Sequence, residues 1–160
     1  MAGPAPNGTF TLFVYGTLKR GYENHERLCG GVLGAEEAVV RGRLYGLPFG
    51  FPALVVAEGT VHIPGTIDPL QDAATCRWAE DLATEGPTDG PLVYGEVLTF
   101  DDAEARLPLF DRLEGFDPEG PSLYRRVLVP VETATRNLLA WTYAMKRPAG
   151  DHLPAGRWPA

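Results

Sequence analysis

The stretch TFTLFVYGTL, residues 9–18, decides how this chain is read. Phe10, Leu12 and Val14 alternate with Thr9, Thr11 and Phe13, the period of two that marks a β-strand, and Tyr15-Gly16 ends it. Downstream, 22–30 (YENHERLCG) predicts a short helix stopped at Gly30. EAVVRGRLYGL, 37–47, predicts a second strand bent at Gly42 and Gly46, PFGFP, 48–52, a rigid turn, and ALVVA, 53–57, a buried third strand. Residues 68–86 carry a helix signature: Asp68 to cap, Pro69 at the first position, Gly86 to stop, and Leu70, Ala74, Trp78 and Leu82 or Ala83 on one face. LVYGEVLTF, 92–100, alternates as a strand. In 102–113 a second helix places Ala103, Leu107, Phe110 and then Glu114 on one face, with Pro108 expected to bend or divide it. LYRRVLVPVE, 123–132, reads as a strand that Pro130 assigns to a sheet edge, and NLLAWTYAM, 137–145, as the last strand.

Many short strands with few helices, in no regular alternation, predict an α+β domain: a small mixed, partly closed β-barrel with peripheral helices. The domain is expected over 9–147, between a flexible leader, 1–8, and an irregular C-terminal tail, 148–160. No GxGxxG follows the first strand, which argues against a dinucleotide-binding fold.

Composition agrees with one compact domain: 160 residues, 44% hydrophobic and 22% charged, with 19 Gly and 15 Pro. The net charge of −7 argues against a nucleic-acid partner, which needs a basic field. Positions 57–104 hold eleven Asp or Glu and one Arg, and these acids read as a solvated face. Cys29 and Cys76 have no CxxC companion and read as inert thiols. No run approaches eighteen apolar residues and MAGPAPNG is no signal peptide, so no membrane association and a cytoplasmic location are expected.

Two places carry chemistry. At Tyr15-Gly16-Thr17-Leu18, glycine permits close backbone approach or positive φ, successive N–H groups can form an anion nest, and Lys19 and Arg20 add positive charge. A plain strand-ending turn fits the same residues. In FDRLEGF, 110–116, Glu114 falls on the helix face that is otherwise apolar, where desolvation raises a carboxyl pKa towards the range useful for proton transfer. Alternatively it lies past the helix end and faces water. Asp111 and Arg112 fall off that face and are expected to be exposed. Tyr143 on the last strand either contacts a ligand in a central cavity or packs in the core.

The run VYGTLKRG, 14–21, followed by Asn24-His25, resembles the opening signature of the gamma-glutamylcyclotransferase-like (AIG2-like) superfamily, and is particularly similar to its gamma-glutamylamine cyclotransferase branch. The resemblance implies that Tyr15, Gly16, Thr17 and Leu18 hold the glutamyl part of a small-molecule substrate. LFDRLEGF, 109–116, resembles the segment of the family's catalytic glutamate, which falls on Glu114. LYRRVLVPV, 123–131, resembles the strand that follows; Arg125 or Arg126 would meet a substrate carboxylate or balance Glu114, not both, because neighbours on a strand face opposite ways. The implied lyase- or transferase-type activity is intramolecular aminolysis of a gamma-glutamyl amine, releasing 5-oxoproline and a free amine, with Glu114 as base and acid and no cofactor. An enzyme acting on gamma-glutamyl amino acids or a biosynthetic gamma-glutamyl conjugate, and a non-enzymatic binding protein of the same fold, are the alternatives. The resemblance covers 12–28, 39–56 and 92–131 and is poor over 57–91, where an acidic helical segment departs from the amine-specific pattern.

His25, His62 and His152 show no metal-ligand spacing, so no metal is expected, and His25 reads as packing near the turn. Ser122 is the only serine and sits in no nucleophile elbow. Trp78 and Trp141 read as core.

Overall fold

In the computed structural model, residues 8–48, 50–57, 59–61, 63–79 and 90–159 are described, with the backbone alone at 77–79. Leader residues 1–7, His62, the Trp78 side chain and 80–86 of the expected 68–86 helix lie outside them. Eight strands and three helices follow in the order β1 (Phe10–Val14), α1 (Glu23–Leu28), β2 (Gly34–Gly46), β3 (Pro52–Val56), β4 (Ile63–Pro64), α2 (Pro69–Ala79), β5 (Leu92–Phe100), α3 (Ala103–Glu114), β6 (Arg125–Thr133), β7 (Asn137–Ala144) and β8 (Asp151–Leu153).

The sheet runs β3-β2-β5-β1-β7-β6-β4, and a further β2–β6 pairing closes β2, β5, β1, β7 and β6 into a barrel. All pairings are antiparallel except β1 with β7. Closure explains why β1 is buried along its whole length although its sequence alternates. Phe13 joins Val40, Val97, Val129 and Ala140 from the other four barrel strands in the barrel interior. Phe10, Leu12 and Val14 face outward onto Leu107 and Phe110 of α3 and the buried Trp141. Two covered faces need apolar or satisfied side chains on both, and Thr11 meets this by donating its hydroxyl to the Leu139 carbonyl at 3.0 Å.

At Gly42 strand β2 changes partner: Arg41 pairs with Leu92 of β5, whereas Gly42 pairs with Val56 of β3. A Cβ at Gly42 would lie 2.5 Å from the Val55 carbonyl oxygen, so the corner requires glycine.

Three expectations are corrected. Pro108 does not divide α3, which continues through it to Glu114. Pro130 is not on an edge strand: β6 pairs along β7 on one side and on the other with β4 at Val127–Leu128 and β2 at Glu132–Thr133. Proline sits in the gap between those two pairings, where its missing N–H costs nothing on that side. The tail beyond 147 is not wholly irregular, because β8 pairs with β2 and Tyr94 donates its N–H to the Gly156 carbonyl at 2.8 Å. Among the described residues no helix is long and apolar enough to cross a membrane.

Candidate active site

The end of β1 and the end of α3 meet across one cavity of about 320 Å3. Tyr15, Gly16, Thr17 and Leu18 line it from the end of β1 and Glu114 from the end of α3, together with Tyr124 and Tyr143.

The wall from β1 is a held turn. Lys19 donates its N–H to the Gly16 carbonyl at 3.1 Å. Helix α1 fastens it from behind: Asn24 donates its side-chain N–H to the Thr17 hydroxyl at 2.8 Å, and His25 Nδ1 donates to the Leu18 carbonyl at 2.7 Å. Gly16 does not have positive φ. Glycine is needed there for space, since a Cβ would sit 3.0 Å from Cγ of Pro52. The N–H groups of Gly16, Thr17 and Leu18 donate to no group among the described residues, which leaves three donors beside the cavity. Lys19 and Arg20 do not line it. Lys19 Nζ donates to the Trp158 carbonyl, and Arg20 pairs with Glu96 through Nε at 3.0 Å.

Glu114 is the last residue of α3. Gly115 follows in the left-handed conformation at φ 70°, and Phe116 donates its N–H back to the Asp111 carbonyl at 2.8 Å. This stop turns the chain away and leaves Glu114 half-buried, enclosed by protein and opening onto the cavity. Its carboxyl makes no hydrogen bond or ion pair with a described residue, and desolvation without such compensation pushes its pKa from 4.5 up to about 7.

The tyrosines around it have no hydroxyl to spare. Tyr15 donates to the Tyr143 carbonyl at 2.5 Å, Tyr124 to the Pro52 carbonyl at 2.7 Å, and Tyr143 to Asp111 Oδ1 at 2.6 Å. Burial raises all three phenol pKa values, helped by the Glu114 charge at Tyr15 and Tyr124 and by Asp111 at Tyr143. At neutral pH they are neutral walls, and Glu114 is the group poised to exchange a proton.

Behind Tyr143 lies a buried ion network. Asp111 accepts from Arg126 Nε at 2.8 Å and Nη2 at 3.2 Å, and Arg126 Nη1 reaches Asp72 of α2 at 2.8 Å. Asp72 is satisfied by the Thr66 N–H at 2.9 Å and hydroxyl at 2.8 Å. The guanidinium also lies 4.9 Å from the Trp141 ring centroid.

This network corrects several expectations. Arg125 is exposed and lines a second, separate cavity, not the one that holds Glu114. Arg126 is 1% exposed and balances Asp111 and Asp72, not Glu114. Asp111 is buried, and Asp72 is no part of a solvated acidic face. Sequence reasoning passed over Asn24, Pro52 and the mouth residues Phe51, Leu113 and Leu123. Only Asn24 carried a signal, as part of the quoted Asn24-His25 pair. Among the described residues no group of three or more His, Cys, Asp or Glu is arranged to hold a metal ion.

Comparison with known proteins bears on this geometry. The family model for gamma-glutamyl cyclotransferase, AIG2-like, matches residues 12–80 and 77–160. A human gamma-glutamylaminecyclotransferase is 34% identical over 121 residues, which are 76% of this chain and 61% of that relative's length. Among solved structures, YkqA from Bacillus subtilis superposes with a TM-score of 0.58 at 23% identity, covering 94% of this chain and 39% of that one. An AIG2-like protein from Mus musculus gives 0.54 at 19% identity, with 88% and 80% covered. The fold of these structures is the fold described above, and the match of the family model over almost the whole chain settles the relationship: the chain belongs to the gamma-glutamyl cyclotransferase, AIG2-like family.

Proposed function

We propose that this protein is a cyclotransferase that releases 5-oxoproline and a free amine from gamma-glutamyl amines. The observation that carries the reading is the half-buried Glu114 carboxyl, raised to about 7, which shares one small cavity with the unpaired backbone donors of Gly16–Leu18. At about 320 Å3 the cavity is near the lower end of the range of about 300–1,000 Å3 usual for small-molecule sites.

In this reading the Gly16–Leu18 N–H groups take the glutamyl α-carboxylate. The substrate's α-amino nitrogen attacks its own γ-carbonyl carbon, and a C–N bond closes the five-membered ring. Tethering of the two reacting atoms supplies the proximity that an intermolecular attack lacks. Glu114 accepts the proton that the attacking nitrogen loses and gives it to the leaving nitrogen as the original amide C–N bond breaks. A pKa near 7 suits one group to both transfers. The balance of the reaction involves no electron transfer. Tyr15, Tyr124 and Tyr143 shape the pocket and stay protonated.

The test is direct. The protein is incubated with gamma-glutamyl amines and amides and 5-oxoproline is measured. Release by the wild type, with a loss of about 100-fold or more in Glu114→Gln, is expected. Turnover unchanged in Glu114→Gln removes that residue from its role, and binding without any 5-oxoproline would leave a binding protein of the same fold.

A further inference from the structure

The described residues include seven large apolar side chains that stand exposed, and three of them, Phe51 (48%), Leu113 (41%) and Leu123 (59%), line the Glu114 cavity. They come from three separate places: the residue before β3, the last turn of α3, and the residue before Tyr124. Scattered exposed leucines need no explanation, but three gathered on one small opening do.

Their position relative to the proposed chemistry is informative. The α-carboxylate end belongs at Gly16–Leu18, and the scissile amide must lie within reach of Glu114. Beyond Glu114 the lining continues with Leu113, which precedes it in the chain, and Leu123, which packs beside Gly115, so the leaving part is placed against these two. Apart from Glu114, the charge there is cationic. Exposed Arg112 lines the same mouth and pairs with no carboxylate among the described residues. Among the described lining residues Glu114 is the only acid.

Resting on the cyclotransferase reading, we infer that the leaving amine is apolar and neutral or anionic, such as an alkylamine or an apolar α-amino acid, and not a diamine or other cation. Phe51, Leu113 and Leu123 cover its hydrocarbon body, and Arg112 repels a terminal ammonium while tolerating a carboxylate. Leu123 and Arg112 are specificity-determining residues, outside the proton-transfer machinery.

The experiment compares N5-butylglutamine with the gamma-glutamyl amide of 1,4-diaminobutane, which differs by a terminal ammonium, together with gamma-glutamyl-leucine and gamma-glutamyl-glycine. The expected order in kcat/KM is butylamide over the diamine conjugate, and leucine over glycine, each by roughly 10-fold. Leu123→Asp and, separately, Arg112→Glu should each narrow or reverse the butylamide preference; circular dichroism checks that these exposed substitutions leave the fold intact. Equal or better turnover of the diamine conjugate, or an order unmoved by both variants, overturns the inference. Calorimetric Kd values for the same four compounds on Glu114→Gln separate the two ideas. If nothing yields 5-oxoproline but affinities follow the expected order, the reaction reading falls and the mouth assignment stands. If 5-oxoproline is released without that order, the mouth assignment alone falls. Neither turnover nor ordered binding overturns both.

Discussion

Glu114 should make the protein less stable as the pH rises, and replacing it should reverse this. A carboxyl carried from 4.5 in the unfolded chain to about 7 in the folded protein binds a proton more tightly when folded. Between those two values the folded state therefore holds more protons than the unfolded state, and unfolding free energy falls with rising pH. Below about 4.5 both states are protonated and nothing is lost; above about 7 both are ionised and the loss is complete. At about 1.36 kcal/mol per pH unit the full loss is about 3 kcal/mol, and because the carboxyl opens onto the cavity, screening reduces this to about 2 kcal/mol. Glu114→Gln keeps the shape without the charge. Urea unfolding of the two proteins at intervals from pH 4.5 to 8.5 should give matching stabilities at the acid end and a variant about 2 kcal/mol more stable above pH 7.5, for a Tm higher by about 4–8 °C. Wild-type kcat/KM should rise through about pH 7 over the same interval as the base form appears. A stability difference that stays flat across this interval, or a variant less stable than wild type at pH 8, would refute the argument that Glu114 is held desolvated and uncompensated.

Arg126→Met strands the buried carboxylates of Asp72 and Asp111 and should cost about 3–5 kcal/mol in urea unfolding, with part recovered by adding Asp72→Asn. Gly16→Ala presses its methyl group against Pro52 and should cost about 1 kcal/mol in stability; in the proposed reading, where the displaced turn holds the glutamyl end, it should also raise KM more than it lowers kcat. Cys29 and Cys76 are buried, with burial pushing both thiols to about 11, so a disulfide-exchange reagent at pH 8 should label neither until denaturant is added.

Local pattern was enough for much of this molecule. The alternation in 9–18 and 92–100 marks β1 and β5 because a strand's side chains take sides every second residue, whatever surrounds it. The spacing Ala103, Leu107, Phe110, Glu114 places the carboxylate on the inward face of α3 for the same kind of reason, since helical periodicity is local. The turn at 15–18 and Glu114 can both be picked out in the sequence, and the runs that flank them resemble one family; the structure shows that they line one cavity.

What the sequence did not contain is which groups meet. Asp111 looks exposed on α3 alone and becomes buried only because β6 delivers Arg126 and β7 delivers Tyr143 to the same point. Asp72 looks like one acid among many until α2 packs against β1 and β7 and turns it inward. Pro130 looks like an edge marker until β2 and β4 pair with β6 on either side of it. Alternation says only that Arg125 and Arg126 differ; the carboxylates of Asp72 and Asp111 decide that Arg126 is the buried one. Periodicity along the chain therefore determined the elements and the side on which Glu114 stands. Closure of the barrel, a pairing of β2 with β6 about a hundred residues apart, decided what that side faces, because the energy of a buried charge depends on partners that only the tertiary fold assembles.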